Sequence, residues 1–487
     1  MKILSNLYLW VNDKFTAEPQ SLLVEKGIII EHLPYPVPEQ YKHIYQQDFN
    51  RAYAYPGFID THTHSFEGGL YSSGADLSKA QNIDEVLQLL SAENAKKSKN
   101  EIIFAWQLDE TLLQEKRFPA VQELDSAVPD KPLLLRRIDG HSCILNSFAR
   151  KQIKDLDTSR EILRGAENDY AVHYFHNCLT DDIILEAYHV SAKLGLQAGF
   201  SCLHTMIGDA HNSITHYELI RDNLDKFPLR FILYPQSYNI KAVLNAGAKR
   251  IGGCILADGS IGSETAAISE PYLNSTSHGI LYQSNEFWQK FISEASKHNL
   301  QVAVHCIGDR AIRQINNVYK TISATEELRH ELIHCELTDD ELIQEIAISK
   351  AAPVMQPNFD LLWGGENGFY AKKLGIKRSS IMNRFASLLK AGITVTGGSD
   401  WYVTPLNAAQ SINAAVHHHN PQERLTLAQA IDIYTKNAAW LNFEEDTWGQ
   451  IKNGFQADLS IYSFPLGTET SQLLYIIREG EIKYATK

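Results

Sequence analysis

The chain has 487 residues, which suffices for about three domains or for one large barrel with an appendage. It carries 45 lysines and arginines against 58 aspartates and glutamates. The resulting net charge of −13 disfavours a nucleic-acid partner, because phosphate binding needs a basic surface. No uninterrupted apolar run reaches the roughly 18 residues of a membrane span. The opening segment MKILSNLYLWVNDKF predicts a strand rather than a signal peptide, since it lacks a small-residue cleavage site.

The 6 cysteines are widely spread and form no C-x-x-C pair. So few cysteines cannot form a disulfide framework for a chain of this length, and we therefore expect reduced thiols in a cytoplasmic protein. The 19 histidines are more informative. Several of them end apolar runs, at positions where a core residue would ordinarily be valine or leucine.

The middle of the chain alternates short apolar runs with helix-length segments. The runs are apolar on both faces, which is typical of parallel strands covered by helices. Ten of them begin near residues 57, 102, 132, 200, 230, 252, 300, 329, 351 and 393. If the two that precede a predicted helix at Asp181–Leu196 belong to an insertion, eight remain, the number that a closed barrel needs. The sequence therefore predicts an α/β fold, a (β/α)8 barrel of the TIM type.

The two ends of the chain have a different pattern. Short alternating strands precede residue 56 and follow residue 449, with EKG and REGE as turns between strands. We therefore predict that residues 1–55 and 446–487 form a small β-sandwich domain. Residues 56–445 would form the barrel, with an insertion at 65–199 after its first strand.

Five polar residues lie at the carboxyl ends of the predicted barrel strands, and those ends face one mouth, where active sites are found. They are His62, His64, His305, His334 and Asp400. His62 and His64 are two positions apart on a strand, so both side chains point to one face and can hold one metal ion. Imidazoles with a carboxylate suit zinc and are compatible with iron, manganese or nickel. Such an ion lowers the pKa of bound water toward about 7, and Asp400 is the natural base for its proton.

The segments around these residues resemble, in order and over nearly the whole chain, the amidohydrolase superfamily and its amidohydrolase family 3 (YtcJ-like) branch. The segments that carry the resemblance are PGFIDTHTHS, RRIDGHSCILNS, ADGSIGSETAA, AVHCIGDRAI, IHCELT, MQPNF, GSDW, TPLNAAQSINAAV and GQIKNGFQADLSIY. The resemblance implies metal ligation by the five residues named above, with Asp400 as general base. It also implies that His141, beside Asp139, contacts the substrate or its developing oxyanion. The predicted catalytic residues are thus Asp400, His334 and His141.

Two positions depart from the family pattern. Many relatives have a metal-bridging lysine four residues before Asp258, where this chain has Cys254. A thiolate can bridge two metals, whereas a small buried thiol would have no such role, and we favour one ion over two. Glu264 stands where relatives more often carry arginine. In the pocket it would disfavour acidic substrates and favour cationic or neutral amides; beyond the pocket it would be a solvated carboxylate.

The leading hypothesis is metal-dependent hydrolysis of a non-peptide amide bond in a small molecule. One alternative is deamination of a ring amine at a single metal, but Gly308 stands where such deaminases often have glutamate. Another is a catalytically silent barrel that binds a small ligand. The tract His417–His419 precedes an Asn-Pro turn and predicts a solvated helix end. A homodimer is suggested only by the general frequency of two-fold assemblies.

Overall fold

The computed structural model describes residues 1–486 except 99–100, 139, 141, 155, 157–159 and 209–213, and it leaves the side chains of 166 and 215 undescribed. The described chain divides into two compact units. The first comprises Met1–His64 and Ala192–Lys487, and the second comprises Ser65–Ser191. Strands and helices are numbered below in chain order.

Both ends of the chain contribute to one sheet of eight strands in the first unit. These strands are β1 (Lys2–Val11), β2 (Lys14–Phe15), β3 (Gln20–Glu25), β4 (Ile28–Pro34), β5 (Gln46–Pro56), β19 (Leu459–Tyr462), β20 (Leu473–Arg478) and β21 (Glu481–Ala485). Their order is β21-β20-β19-β5-β1-β3-β4, with β2 paired to β1. The predicted EKG and REGE turns are confirmed, since they join the antiparallel pairs β3–β4 and β20–β21.

Eight further strands of the first unit form parallel sheets at the predicted positions. They are β6 (Phe58–Thr63), β12 (Phe200–Ile207), β13 (Arg230–Pro235), β14 (Arg250–Leu256), β15 (Gln301–Cys306), β16 (Glu331–His334), β17 (Ala352–Met355) and β18 (Thr396–Gly397). One sheet has the order β13-β12-β6 and the other β14-β15-β16-β17-β18. Every residue of β6, β12, β15, β16 and β17 is buried, as parallel strands covered on both faces require.

Hydrogen bonds also link the outer strand of one parallel sheet to the outer strand of the other. Thr61 Oγ1 donates to the carbonyl of Gly397 at 2.9 Å, and the amide of Asp400 donates to the carbonyl of His62 at 2.9 Å. The carboxyl ends of β6 and β18 therefore lie side by side.

Helices separate the parallel strands. They are α6 (Asp181–Gln197), α7 (Thr215–Arg221), α8 (Ile240–Asn245), α9 (Asn285–Lys297), α10 (Asp309–Thr321), α11 (Thr325–Leu328), α12 (Asp340–Ser349), α13 (Pro357–Trp363), α14 (Phe369–Leu374), α15 (Ile376–Ser379), α16 (Phe385–Lys390), α17 (Ala408–Val416), α18 (Leu427–Asp432) and α19 (Lys436–Leu441). Their starts follow the sequence: Ser284 caps α9 and Asp339 caps α12, each through a side-chain oxygen that accepts a backbone N–H. Among the described residues, no helix has the length and apolar character to cross a membrane.

The second unit has its own sheet and core. Its elements are α1 (Ser65–Ser72), β7 (Ala75–Asp76), α2 (Ile83–Lys96), β8 (Ile103–Leu108), α3 (Val121–Ala127), β9 (Leu133–Arg137), β10 (Ser142–Leu145), α4 (Ser147–Arg150), β11 (Ile162–Arg164) and α5 (Ala166–Asn177). The strand order is β11-β10-β9-β8-β7. The two early apolar runs of the sequence are therefore β8 and β9, and they pair outside the parallel sheets of the first unit.

Candidate metal centre

The five predicted ligands lie together at the carboxyl ends of the parallel strands. Asp400 Oδ1 is 3.2 Å from His62 Nε2 and 3.3 Å from His64 Nε2. The ring of His334 lies 5.1 Å from that of His62 and 4.5 Å from that of His305, measured between centroids. All five are buried except His64, whose side chain is 19% exposed. The ends of three strands, β6, β15 and β16, and the loop after β18 thus place four imidazoles and a carboxylate in one buried cluster.

Several polar atoms of this cluster have no hydrogen-bond partner among the described residues. They are both ring nitrogens of His62 and Oδ1 of Asp400; the 3.2 Å approach of His62 Nε2 to this oxygen lacks hydrogen-bond alignment. Leaving a buried polar group unpaired costs about 1–3 kcal/mol, so such atoms rarely converge without a ligand. The ligand atoms of His62, His64 and Asp400 lie within 4.8 Å of one another. A divalent cation fits this donor set, because it would satisfy these lone pairs together.

Cys254 joins the same cluster. Its Sγ lies 3.8 Å from His305 Nδ1, and it forms a second group of potential ligands with His62 and His334. Burial alone would raise the pKa of the thiol, but His305, His334 and the other imidazoles lower it well below its ordinary value. The structure therefore places a thiolate in contact with the histidines, at the position where the family resemblance implies a lysine.

Neighbouring charges set the protonation of the remaining members. Burial would raise the pKa of Asp400, but His62 and His64 hold it far below its usual range, so the carboxylate is ionised. Burial would lower the pKa of His305, yet the thiolate of Cys254 beside it raises that pKa to about 9. The cluster therefore combines two anionic donors with imidazoles that a cation would bind in their neutral form.

At three residues in or beside this site the backbone has a positive φ angle, in the left-handed region that residues of β-strands avoid. The φ angles are 70° at His334, 49° at Cys335 and 56° at Asp400. Such conformations are uncommon outside glycine, and they cluster at functional sites, where the surrounding structure holds them. The chain turns sharply where β16 ends and again beyond β18, and these turns aim His334 and Asp400 into the cluster.

Gln356 supports the cluster from the residue before α13. Its Oε1 lies 2.8 Å from His334 Nδ1, and its Nε2 donates to the carbonyl of Val354 at 3.4 Å. An amide oxygen only accepts, so Nδ1 of His334 carries the proton and Nε2 is left as the lone pair for a ligand. In the sequence, Gln356 belongs to the segment MQPNF, which carries the family resemblance but does not predict this role.

Two buried aspartates tie the strand ends together. Asp258 accepts hydrogen bonds from the amides of Ala267 at 2.8 Å, Ile307 at 2.9 Å and Gly308 at 2.8 Å. These bonds join the segment after β14 to the segment after β15, which carries His305. Asp60 Oδ1 accepts from the amide of Ser399 at 2.9 Å and so joins β6 to the segment that bears Asp400.

The tract His417–His419 differs from its predicted form. His418 is fully buried, so the expectation of a solvated helix end is wrong for this residue. Its Nε2 lies 3.2 Å from Asp360 Oδ1, while its Nδ1 accepts a hydrogen bond from the amide of Asn420 at 3.1 Å. Since Nδ1 accepts, Nε2 carries the proton and faces Asp360, so neither ring nitrogen of His418 offers a metal a lone pair.

Two other predicted positions can be placed only in part. His141 and Asp139 lie outside the described residues. Glu264 pairs with Lys373, whose Nζ lies 2.7 Å from Oε1. The carboxylate is one-third exposed and its charge is balanced, so it is neither a lone negative charge in the pocket nor a purely solvated group.

Comparisons with known proteins give one family for the chain. A family profile described as the amidohydrolase family matches residues 48–483. "Putative amidohydrolase YtcJ" of Bacillus subtilis (strain 168) is 26% identical over 469 residues, which cover 87% of this chain and 86% of that protein. "N-substituted formamide deformylase" of Arthrobacter pascens is 23% identical over an alignment of 506 positions, which covers 88% of each protein. The crystal structure of an uncharacterized metal-dependent hydrolase from Pyrococcus horikoshii OT3 superposes with a TM-score of 0.81 at 21% identity, covering 99% of both chains.

Proposed function

The chain belongs to the amidohydrolase family and is a hydrolase that acts on carbon–nitrogen bonds, and we propose that it cleaves a non-peptide amide bond of a small molecule by metal-assisted attack of water. The observation that carries this proposal is the buried convergence of four histidines and Asp400, whose Oδ1 lies 3.2 Å from His62 Nε2 and 3.3 Å from His64 Nε2 without a well-aligned hydrogen bond. A site built only for stability would align these groups in hydrogen bonds.

The fold we propose for this function is a closed (β/α)8 barrel of strands β6 and β12–β18. The hydrogen bonds between the ends of β6 and β18 support closure. We also propose a terminal β-sandwich domain of residues 1–55 and 446–487, a barrel of residues 56–445 and an insertion at 65–199. The mixed terminal sheet and the separate unit Ser65–Ser191 support this division.

We propose that His62, His64, His305, His334 and Asp400 hold one divalent ion, most simply zinc, which imidazole and carboxylate ligands suit. The thiolate of Cys254 would be a further ligand. Such an ion would supply Lewis-acid activation of the amide carbonyl and of the attacking water. The six cysteines are all unpaired, which fits a reducing, cytoplasmic location.

Asp400 is the residue we propose for proton transfer. Its pKa lies far below the usual range, so it is an ionised acceptor at neutral pH. As the water oxygen bonds to the amide carbon, Asp400 takes the water proton. It then returns that proton to the nitrogen as the C–N bond breaks, which yields a carboxylic acid and an amine. His334 is oriented by Gln356 for the same centre, and we propose from the family resemblance that His141 contacts the developing oxyanion.

The test is amide hydrolysis by zinc-loaded protein purified without an affinity tag. N-substituted formamides are the first probes, because one relative is named for their deformylation, followed by small N-acetyl amines. We expect Asp400→Asn to lower kcat/KM by about 10²–10⁴-fold, in keeping with loss of a general base. Asp446→Asn, which changes an exposed aspartate, should leave activity intact.

Two outcomes would contradict the proposal. One is a fully zinc-loaded protein that releases amine from none of these amides. The other is an Asp400→Asn variant that keeps wild-type turnover, since the cluster would then lack its proposed base. Ammonia release from ring amines would instead support the deaminase alternative.

A further inference from the structure

A cleft of about 340 Å³ opens on the second unit, and none of its lining residues belongs to the histidine cluster. It lies between the end of α1, the start of β8 and the first two turns of α6. Small-molecule sites have volumes of roughly 300–1,000 Å³, so this cleft can hold a small ligand. Its floor is apolar, since the lining residues Leu70, Phe104 and Ala187 are buried. We call this cavity the insertion cleft.

Close backbone packing fixes the floor of the insertion cleft. A Cβ atom at Gly69 would lie 1.8 Å from the carbonyl oxygen of Ala187, and one at Gly74 would lie 2.1 Å from the carbonyl oxygen of Phe104. Helix α1 therefore touches the backbone of both α6 and β8, which only glycine allows. The cleft is thus bounded by backbone in direct contact.

The rim of the insertion cleft carries two carboxylates without a partner. Asp182 and Glu186 are exposed and lie one turn apart on α6, so their side chains share one face of the helix. In the part of the chain that the structure describes, no hydrogen bond or ion pair involves either carboxylate. Ile183 and Ala187, also one turn apart, supply apolar surface beside them.

The lysine of the cleft does not balance this pair of carboxylates. Lys97 Nζ lies 3.9 Å from carboxylate oxygens of both Glu93 and Glu101, so its charge already has two partners. Glu101 also lines the cleft, which adds a further negative charge to the rim. Like charges one turn apart on a helix repel each other, and a cation between Asp182 and Glu186 would relieve that repulsion.

We propose that the insertion cleft binds a small organic ammonium ion with an apolar body, such as an arylalkylamine. The apolar body packs on Leu70 and Phe104, and the ammonium group lies between the carboxylates of Asp182 and Glu186. The apolar floor favours an organic ligand over a hydrated metal ion, and the negative rim disfavours anions. The proposal does not rest on the hydrolase function, because it uses no residue of the metal centre. Amines are also the class of product that the proposed hydrolysis releases.

A purely structural role for the two carboxylates makes a different prediction. Asp182 lies in the first turn of α6, where a negative charge stabilises the helix through its dipole. This explains Asp182 but not Glu186, which lies in the second turn. If both residues served only the helix, a cationic and a neutral ligand of the same size would bind the cleft equally or not at all.

Cys178 provides a reporter for occupancy of the insertion cleft. It lines the cleft and is exposed, whereas the other cysteines are buried or, in the case of Cys254, partly buried. Alkylation by the neutral reagent iodoacetamide is followed by mass spectrometry of the peptide that contains Cys178, so ligand bound at the metal centre does not interfere. Burial raises the pKa of this thiol, and the reaction is therefore run at mildly alkaline pH. Each rate is divided by the rate for the same protein without ligand.

The experiment compares protection of Cys178 by phenethylammonium and by phenethyl alcohol, which have the same size and differ in charge. In wild type we expect the ammonium ion to halve the alkylation rate at a concentration about 2- to 30-fold lower than the alcohol, the range for two exposed ion pairs. The double variant Asp182→Asn, Glu186→Gln should lose this preference and keep the protection by the alcohol. The matched control is Asp84→Asn, which also changes an exposed aspartate in the first turn of a helix, α2, and which should keep the preference.

Four outcomes would overturn the inference. They are equal protection by both ligands in wild type, no protection by millimolar phenethylammonium, a preference that persists in the double variant, and equal protection by magnesium or calcium ions alone. The last outcome would make the acidic pair a metal-ion site. Because the preference is a ratio measured within one protein, lower stability of a variant does not change it. If melting curves show that the double variant does not fold, Glu186→Gln alone takes its place.

Discussion

Replacing Gln356 by leucine tests whether the orientation of His334 matters for metal binding. Leucine has nearly the same size, so the change removes the acceptor for His334 Nδ1 without opening a large cavity. Gln356 is fully buried, and no water would take its place cheaply beside the ring. The imidazole would then either keep a buried, unpaired N–H or shift its proton to Nε2, where the metal lone pair belongs.

The expected size of the effect follows from the 2.8 Å hydrogen bond between Gln356 and His334. Leaving a buried donor unpaired costs about 1–3 kcal/mol, which corresponds to roughly 5- to 150-fold in a binding constant. In known metal sites, removal of a residue that hydrogen-bonds a metal-bound histidine lowers the metal affinity about 10- to 100-fold. The two estimates of the loss in affinity agree, and we expect zinc to bind Gln356→Leu about 10- to 100-fold more weakly than wild type.

The assay is competition for zinc between the protein and a chromophoric chelator of known affinity. Gln314→Leu is the matched control, because Gln314 is a buried glutamine of α10 that donates to Gln283 and Asn285, away from the cluster. The control should lose stability but keep its zinc affinity. Wild-type zinc affinity in a folded Gln356→Leu variant would refute the argument that this amide sets the tautomer of His334.

Three further predictions concern metal count, pH and the loops. Elemental analysis should find about one zinc per chain in both wild type and Cys254→Ser; two in wild type and one in the variant would show that the thiolate bridges a second ion. Burial lowers the pKa of His330 to about 3 in the folded protein, against about 6.5 unfolded, so only the unfolded chain takes up this proton between these values. Stability should fall by about 1.4 kcal/mol per unit as pH drops through that window, and His330→Gln should flatten the fall in Tm between pH 6.5 and 4.5. Asp258→Asn should lower Tm by roughly 2–6 °C, because an amide nitrogen cannot accept from the two backbone N–H groups that it faces; an unchanged melting curve would contradict this.

The strands and the position of the site followed from the sequence because their signals are local. Apolar runs of strand length predicted β12, β13 and β15 closely, and the predicted helix Asp181–Leu196 appears as α6. His62, His305 and His334 stand where such runs end, so parallel-strand geometry alone brings them together. The proposed ligand roles themselves still depend on the zinc measurements above.

The supporting residues could not be predicted, because their partners are remote in the chain. Gln356 and His334 are separated by 22 positions, and nothing near either residue signals the contact. Glu336 belongs to the segment IHCELT, but its burial beside Tyr370 depends on helix α14, which begins more than 30 residues later. His418 was expected in solvent because a histidine tract resembles a polar helix end, and only the packing around Asp360 buries it.

The sheet made from both ends of the chain cannot be completed until the end of the chain has been synthesised. Strand β5 ends at Pro56, and its neighbour β19 begins at Leu459, about 400 residues later. At about 5–20 residues per second, a ribosome needs roughly 20–80 s to supply that neighbour. Over that interval the edge of β5 lacks its final partner, and unpaired strand edges are templates for aggregation. Chaperone supply and translation speed should therefore affect the yield of this protein more than that of a chain whose sheets are complete once their own segment has emerged.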